Sequence, residues 1–417
     1  MMKKIMLLLL LQVTALMAIT YNVTREGQMI PVTEDQSPTT ETATSTPTVA
    51  TPTPAPTTPT EQTAGSAKTN WGFQGFTVPN NSVTVNAGEN IQAAINKLET
   101  LGGGTLHLNA GTHKASALDL CENLVIEGAG IGKTIFEYYD NDGANAVDDD
   151  RYLIRVRGSE HGGTYRNFIM RNLTLSDHYS SFYPVTFTSG AENILFENMD
   201  LIYGGSLKVN NGKHVTFKNI DASGGAFQIF DVVSVDGVII DNVEQKEATT
   251  QGIDLARCNY VEISNLTYDN SSGSVSNAIK WPGADHVYMH DSLLVSKAGS
   301  DNIGIRLDTG STDITNRHVH LENINITGWV RAVYHATSGS TPSHKELVLK
   351  NVNISGTTKN PDEVETRGVV NLYKFSDCSI PDGIDNKAGS ITNYYTPDAT
   401  KNTPASLGVG YTSWGNP

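Results

Sequence analysis

Eight segments of this chain repeat one short pattern: alternating apolar residues, then Asn, then a further apolar residue. They read FIMRNL, ILFENM, VTFKNI, VIIDNV, VEISNL, VHLENI and LVLKNV, with VYMHDS as an imperfect copy. The Asn positions are Asn172, Asn198, Asn219, Asn242, Asn265, Asn323 and Asn351, and Asp291 holds the place in the odd copy. Successive gaps are 26, 21, 23, 23, 26, 32 and 28 residues. A recurrence at roughly 20–30 residues marks a solenoid, because one such unit cannot bury its apolar face alone and must stack on copies of itself.

Within a unit the alternation has period two, so each copy is a strand with one buried face. In VTFKNI, Val215 and Phe217 point one way, Thr216 and Lys218 the other. The Asn that follows tolerates a left-handed backbone and can hydrogen-bond through its amide, so stacked copies form a ladder. A second strand follows each Asn (IDAS, LTYD, INIT), and after a variable loop comes a third (SLKVN, AFQIF, GIDLA, AIKW, GIRLD). Three short strands per turn, pairing in parallel from coil to coil, predict an all-β chain wound as a right-handed parallel β-helix. An antiparallel sandwich would instead show turn signals every 8–12 residues and no fixed Asn phase. Ahead of the repeats, Ile91, Ala94, Ile95, Leu98 and Leu101 fall at helical spacing, and Gly102–Gly104 end the helix. Such a helix caps the open end of the core, where strand edges would otherwise be exposed.

The stretch IQAAINKLETLGGGTLHLNAGTH, followed by NLVIEGAG, resembles the opening of the pectin-lyase-like superfamily. The resemblance covers about residues 83–380. It implies the β-helix fold but not one reaction, since that fold carries lyases, hydrolases, epimerases and adhesins.

Outside the solenoid the composition changes. Residues 1–19 carry Lys3 and Lys4 and then an apolar stretch, the pattern of a secretory signal or anchor. Residues 20–69 read as a Thr/Pro-rich linker, with 32–66 almost wholly Thr, Pro, Ala, Ser, Glu and Gln, too poor in apolar surface to fold. The β-helix is expected over 70–385 and an irregular tail packing on it over 386–417. These segments predict a secreted, monomeric protein that the linker can attach to a cell surface. Cys121, Cys258 and Cys378 lie far apart in the repeat and are expected as buried thiols. The sequons at Asn172 and Asn265 coincide with ladder positions and are expected to be buried. A net charge of −15 argues against nucleic acid as a partner, and requires a polyanionic substrate to meet a locally basic patch.

The superfamily resemblance implies that the third strand of each coil lines the binding cleft. Val185/Phe187, Leu207/Val209, Phe227/Ile229, Ile253/Leu255, Ile279/Trp281 and Ile305/Leu307 are aligned as inward pairs. The outward column then reads Arg155, Thr186, Lys208, Gln228, Asp254, Lys280, Arg306, Tyr334 and Asn371. A flanking column adds Arg157, Asn210, Asp308 and Asp231. Coils about 4.8 Å apart make Asp254, Lys280 and Arg306 a continuous ion row, with Trp281 and Tyr334 beside it as aromatic platforms for sugar rings. A solvated strand face is the plainer reading, but this column is cationic in an acidic chain.

A polyuronate lyase needs a base for the proton α to the carboxyl, and positive charge or Ca²⁺ to neutralise that carboxylate. The expected assignment is Lys280 as base, Arg306 as neutraliser or acid and Asp254 beside them, acting on an acidic polysaccharide. Lys208, Gln228, Arg155, Asp308, Tyr334 and Trp281 would contact the substrate. The runner-up resembles polygalacturonases. GIRLDT, with Arg306 and Asp308, is similar to that family's Arg-Ile-Lys element with Asp in place of Lys, and QGID has Gln251 where a catalytic Asp belongs. The paired aspartates and the Gly-His-Gly element are absent. Asp254 and Asp308, two coils or about 9–10 Å apart, would then be the two carboxyls. An alginate epimerase would use the same proton abstraction but lacks its Asp-Pro-His-Asp element, and a non-catalytic adhesin would need no Lys–Arg pair. The loop Asp140-Asn141-Asp142-Gly143, with Asp148–Asp150, offers oxygen ligands suited to Ca²⁺, Asp140 and Asp142 foremost, although a solvated acidic loop is the plainer reading. His318 and His320 share a strand face in RHVHLEN and read as a polar outer face rather than a metal site.

Overall fold

The computed structural model describes residues 71–138, 152–176, 184–202, 206–223, 228–246, 251–271, 277–296, 302–307, 318–334 and 344–356, with short strand segments before and after them. The chain divides into units 1–62 and 63–417. In the first, Tyr21–Val23 pairs antiparallel with Met29–Pro31, a short hairpin inside the stretch expected to be linker. Its arms are β-prone and apolar (Tyr-Asn-Val and Met-Ile-Pro), unlike the Thr/Pro tract beyond. The expected leader, residues 1–19, lies outside the described residues. Among the described residues no helix is long and apolar enough to cross a membrane.

The second unit is a right-handed parallel β-helix whose strand pairings are parallel throughout. Each coil stacks on the next in strict register, as in Ile194↔Val215↔Val238↔Val261↔Val287↔Val319. The corner after each of these strands is the Asn ladder. Its seven Asn residues and Asp291 all have left-handed backbones, with φ between 48° and 58°, a conformation Asn and Asp tolerate better than other side chains with a Cβ. Asn219 donates to Asn198 at 2.8 Å, Asn242 to Asn219 at 2.8 Å and Asn351 to Asn323 at 2.9 Å. Asn323 donates likewise to Asp291 at 2.9 Å, so the odd copy still serves as acceptor. At Asn265 the line shifts, and its amide bonds Asp241 instead. Both ladder sequons depart from expectation: Asn172 is half-buried and Asn265 exposed, because the corner turns each side chain toward its neighbour in the stack rather than into the core.

A second left-handed corner lies five residues before the first. It runs Asn123, Asn167, Asn193, His214, Gly237, Tyr260 and His286, with φ between 49° and 83°. Asn193 donates to Asn167 at 2.8 Å and Asn167 to Asn123 at 2.7 Å, and beyond these the corner changes to aromatic and imidazole rings.

The core fills with stacked like side chains. Phe196, Phe217 and Phe230 form a column with centroids 5.5 and 4.2 Å apart. The capping helix spans Ile91–Thr100, is N-capped by Asn90 and buries Ile91, Ala94, Ile95 and Leu98. Leu101, counted above with that apolar face, is instead the C-cap and is 50% exposed, because the helix has ended before it. Cys121 and Cys258 are buried free thiols, which burial pushes up to about 11 and about 12, and Cys378 is half-buried.

One feature has no counterpart in the repeat pattern. The segment Trp71–Phe76 crosses the outside of the coils as a strap. Phe73 N–H donates to Thr216 Oγ1 at 2.8 Å, Gln74 N–H to Asn193 Oδ1 at 2.7 Å, and Trp71 packs on Tyr260 at 5.7 Å. Gly237 makes room for it, since a Cβ there would stand 2.0 Å from the Trp71 carbonyl oxygen. Gly237→Ala should therefore cost about 1–2 kcal/mol from its left-handed φ alone and should also loosen the strap. Denaturant unfolding together with Trp71 fluorescence would check this; unchanged stability and unchanged emission would refute it.

Candidate active site

The outward column exists, with one substitution that changes its chemistry. The register runs Arg155↔Thr186↔Lys208↔Asp231↔Asp254↔Lys280↔Arg306↔Tyr334↔Glu365. Asp231, expected on the flank, occupies the rung assigned above to Gln228. Phe230 and Val232 are the inward pair there, both fully buried. The run AFQIFDVV alternates in two phases, and apolar periodicity alone selected the wrong one. The ladder carries the correct phase: Lys208, Asp231, Asp254 and Lys280 each stand eleven residues before their ladder residue, Asn219, Asn242, Asn265 and Asp291. Asn371 likewise leaves the column, since its strand pairs with His344–Ser355, the strand that carries the ladder residue Asn351.

Two carboxylates thus occupy neighbouring rungs between cations. Lys208 Nζ meets Asp231 Oδ2 at 2.5 Å, and Lys280 Nζ meets Asp254 Oδ2 at 3.3 Å. Although they point outward, Asp231 and Asp254 are only 7% and 8% exposed. Gln228 precedes its strand yet still reaches the site: its amide donates to Asp254 Oδ2 at 3.3 Å and to Gln251 at 2.9 Å. Asp254 Oδ1 is buried with no hydrogen-bond partner among the described residues. Burial raises the Asp254 carboxyl above its ordinary value; the Lys280 charge opposes that rise and neighbouring Asp231 adds to it. A recessed carboxyl held toward its neutral form beside a second carboxylate has the make-up of an acid–base pair.

The remaining candidates separate into those the column gathers and those it does not. Arg306 continues the cationic end one rung above Lys280. Tyr334 follows it, with the Arg331 guanidinium over its ring at 4.6 Å. Arg155 stands at the foot of the column, over the Tyr152 ring at 4.9 Å. Trp281 is a correction. It is 1% exposed and continues the inward phase of Ile279 into the core, so it offers no outer platform. Asn210 stacks on Val233, and Arg157 turns to Glu160 at 3.3 Å, so neither builds a second polar row. Asp308, Asp140 and Asp142 lie outside the described residues. His318 and His320 do not form one solvated face: His320 is fully buried beside Tyr288 and Glu322, and His318 pairs with Asp285.

No family model matches the chain. Over 93 residues it is 34% identical to the mannuronan C5-epimerase AlgE4 of Azotobacter vinelandii, a match spanning 20% of this chain and 16% of that protein. Among solved structures, an exopolygalacturonase from Thermotoga maritima superposes with a TM-score of 0.52 at 10% identity, covering 73% of this chain and 88% of that one. The surface protein and adhesin PfbA of Streptococcus pneumoniae gives a TM-score of 0.47 at 12% identity, over 72% of this chain and 94% of that one. The chain shares the right-handed parallel β-helix fold of that exopolygalacturonase.

Proposed function

We propose that this chain is a carbohydrate-active enzyme that hydrolyses glycosidic bonds in an acidic polysaccharide, with Asp254 and Asp231 as its two carboxyls. The observation that carries this reading is the recessed Asp231–Asp254 pair on adjacent rungs of the outward column. Glycoside hydrolysis needs one carboxyl to protonate the leaving oxygen and a second to act at the anomeric carbon, directly or through water. Asp254, raised by burial, is the acid. Asp231, paired with the Lys208 ammonium, is the carboxylate. Lys280 and Arg306 hold acidic groups of the substrate, and Tyr334 and Gln228 contact neighbouring units. Likenesses to an exopolygalacturonase and to a mannuronan epimerase favour a polysaccharide as substrate. The Lys3–Lys4 leader pattern supports action outside the cell.

A second reading, β-elimination, has one observation in its favour: Lys280 and Arg306 on adjacent rungs, a base and a carboxylate neutraliser in the right order. Against it, the Lys280 ammonium donates to Asp254, whereas a base must offer its lone pair. The two reactions leave different products. The full chain, incubated with polyuronates and sulfated polysaccharides with and without Ca²⁺, should release reducing ends without the ultraviolet absorbance of unsaturated uronates. An absorbance rise that Lys280→Ala abolishes would overturn hydrolysis in favour of elimination. Polysaccharide binding with neither signal would overturn both and leave an adhesin.

A further inference from the structure

On a different corner of the coil, two histidines and an aspartate from neighbouring turns converge. Asp285 and His286 open the strand Asp285–Ser296, and His318 opens the strand His318–Thr327 on the next coil. His286 Nδ1 lies 3.4 Å from Asp285 Oδ2, and His318 Nδ1 lies 3.3 Å from Asp285 Oδ1. One ligand atom from each of the three residues falls within 4.8 Å of the others. We propose that Asp285, His286 and His318 form a binding site for a divalent transition-metal ion of the Zn²⁺ class, clipping one coil to the next.

Several independent features fit this site. Tetrahedral zinc, with bonds of about 2.0–2.1 Å to nitrogen and oxygen, spaces its ligands about 3.3–3.4 Å apart, the separation seen between each imidazole nitrogen and the carboxylate. The rings are already oriented: Tyr260, His286 and His318 stack in sequence with centroids 4.9 and 4.8 Å apart, and Trp71 of the strap packs on Tyr260 at 5.7 Å. The carboxylate is oriented too, since its Oδ1 accepts the backbone N–H groups of His286 at 2.8 Å and His318 at 2.9 Å. Asn259 Oδ1 stands 3.3 Å from His286 Nδ1, a further oxygen at the margin. The side chains of Asp285, His286 and His318 keep 18–26% of their surface exposed, which leaves a path for the ion and for water ligands. Two imidazoles and a single carboxylate suit Zn²⁺, Ni²⁺ or Cu²⁺ rather than Ca²⁺, which takes six to eight oxygens.

The site is distinct from the ion column, so it can be tested without any knowledge of substrate. Full-length protein freed of metal by a chelator would be titrated with Zn²⁺ in competition with a chromophoric chelator, and separately with Co²⁺ to read its visible absorption. The expected result is one tight equivalent and a metal-dependent rise in Tm. His286→Ala and His318→Ala should each weaken that equivalent by at least about 10–100-fold, the loss typical even of outer-shell changes. Asp285→Asn is the second variant: it keeps an oxygen for the two backbone N–H groups while removing the charge, and should weaken binding without unfolding the corner. His290→Ala, on the Glu262–His290–Asp291 cluster farther along the same strand, should leave the equivalent intact. Absence of a tight equivalent, or one that survives both His286→Ala and His318→Ala, would overturn the proposal.

Discussion

Asp254→Asn should lower the rate of glycosidic cleavage by about 10²–10⁴-fold, the usual contribution of a positioned general acid. The loss should fall on kcat rather than KM, because the amide keeps the side chain's shape and still accepts from Lys280 and Gln228. An acid must carry its proton to act, and burial raises the Asp254 carboxyl above its ordinary value. Activity should therefore persist above the pH at which a free Asp, near about 3.9, has ionised, and fall as pH rises through the higher value. The same shift bears on stability. A carboxyl whose folded value is raised contributes stability below its unfolded value and forfeits it as pH rises through the folded one. The Asn variant lacks that titration, so its unfolding midpoint should change less between mildly acidic and neutral pH than that of the parent. Equal kcat for variant and parent, with the same pH profile, would remove Asp254 from the chemistry. A large loss confined to KM would make it a binding residue instead.

The second large effect is structural. Phe217→Ala should destabilise the β-helix by about 3–5 kcal/mol, the range for removing a buried aromatic ring. Phe217 stands fully buried between Phe196 and Phe230, at 5.5 and 4.2 Å, so the void has a stacked partner on both sides. In a solenoid the coils are held by nearest-neighbour contacts, and damage at one coil is felt at the interface above and below. The same coil carries Lys208. Phe217→Leu, which retains most of the volume, should cost far less. Urea unfolding monitored by far-ultraviolet circular dichroism would give both differences. A cost for the alanine variant below about 1 kcal/mol would mean that the phenylalanine column is not the packed core it is taken to be.

Much of this architecture is legible in the chain itself, because a solenoid repeats its physics. Each Asn of the ladder marks the same left-handed corner, each alternating run the same half-buried strand, and the capping helix announces itself by apolar spacing and terminal glycines. The cationic column was legible in outline for the same reason, and Lys208, Asp254, Lys280 and Arg306 stand where alternation places them. What alternation could not do was choose between two equally apolar phases of AFQIFDVV. The eleven-residue offset from the Asn ladder held that choice, and the hydrogen-bonded register, which sets Asp231 beside Asp254, turns an ion row into a carboxylate pair. Trp281 shows the complementary point: alternation paired it inward with Ile279, where it is buried, and it was its role as an outer platform that ran against that parity. The second corner ladder was hidden because its occupants change from Asn to His, Gly and Tyr, although their constant offset of five residues from the Asn ladder was present throughout. The strap at Trp71–Phe76 and the meeting of Asp285 with His286 and His318 had no local signal at all. Trp71 and Tyr260 lie 189 positions apart and Asp285 and His318 lie 33 apart, and such contacts come into being only when the coils have stacked. Local periodicity thus determined which way each coil bends and which face it buries. The pairing of one coil with the next decided which charged side chains became neighbours.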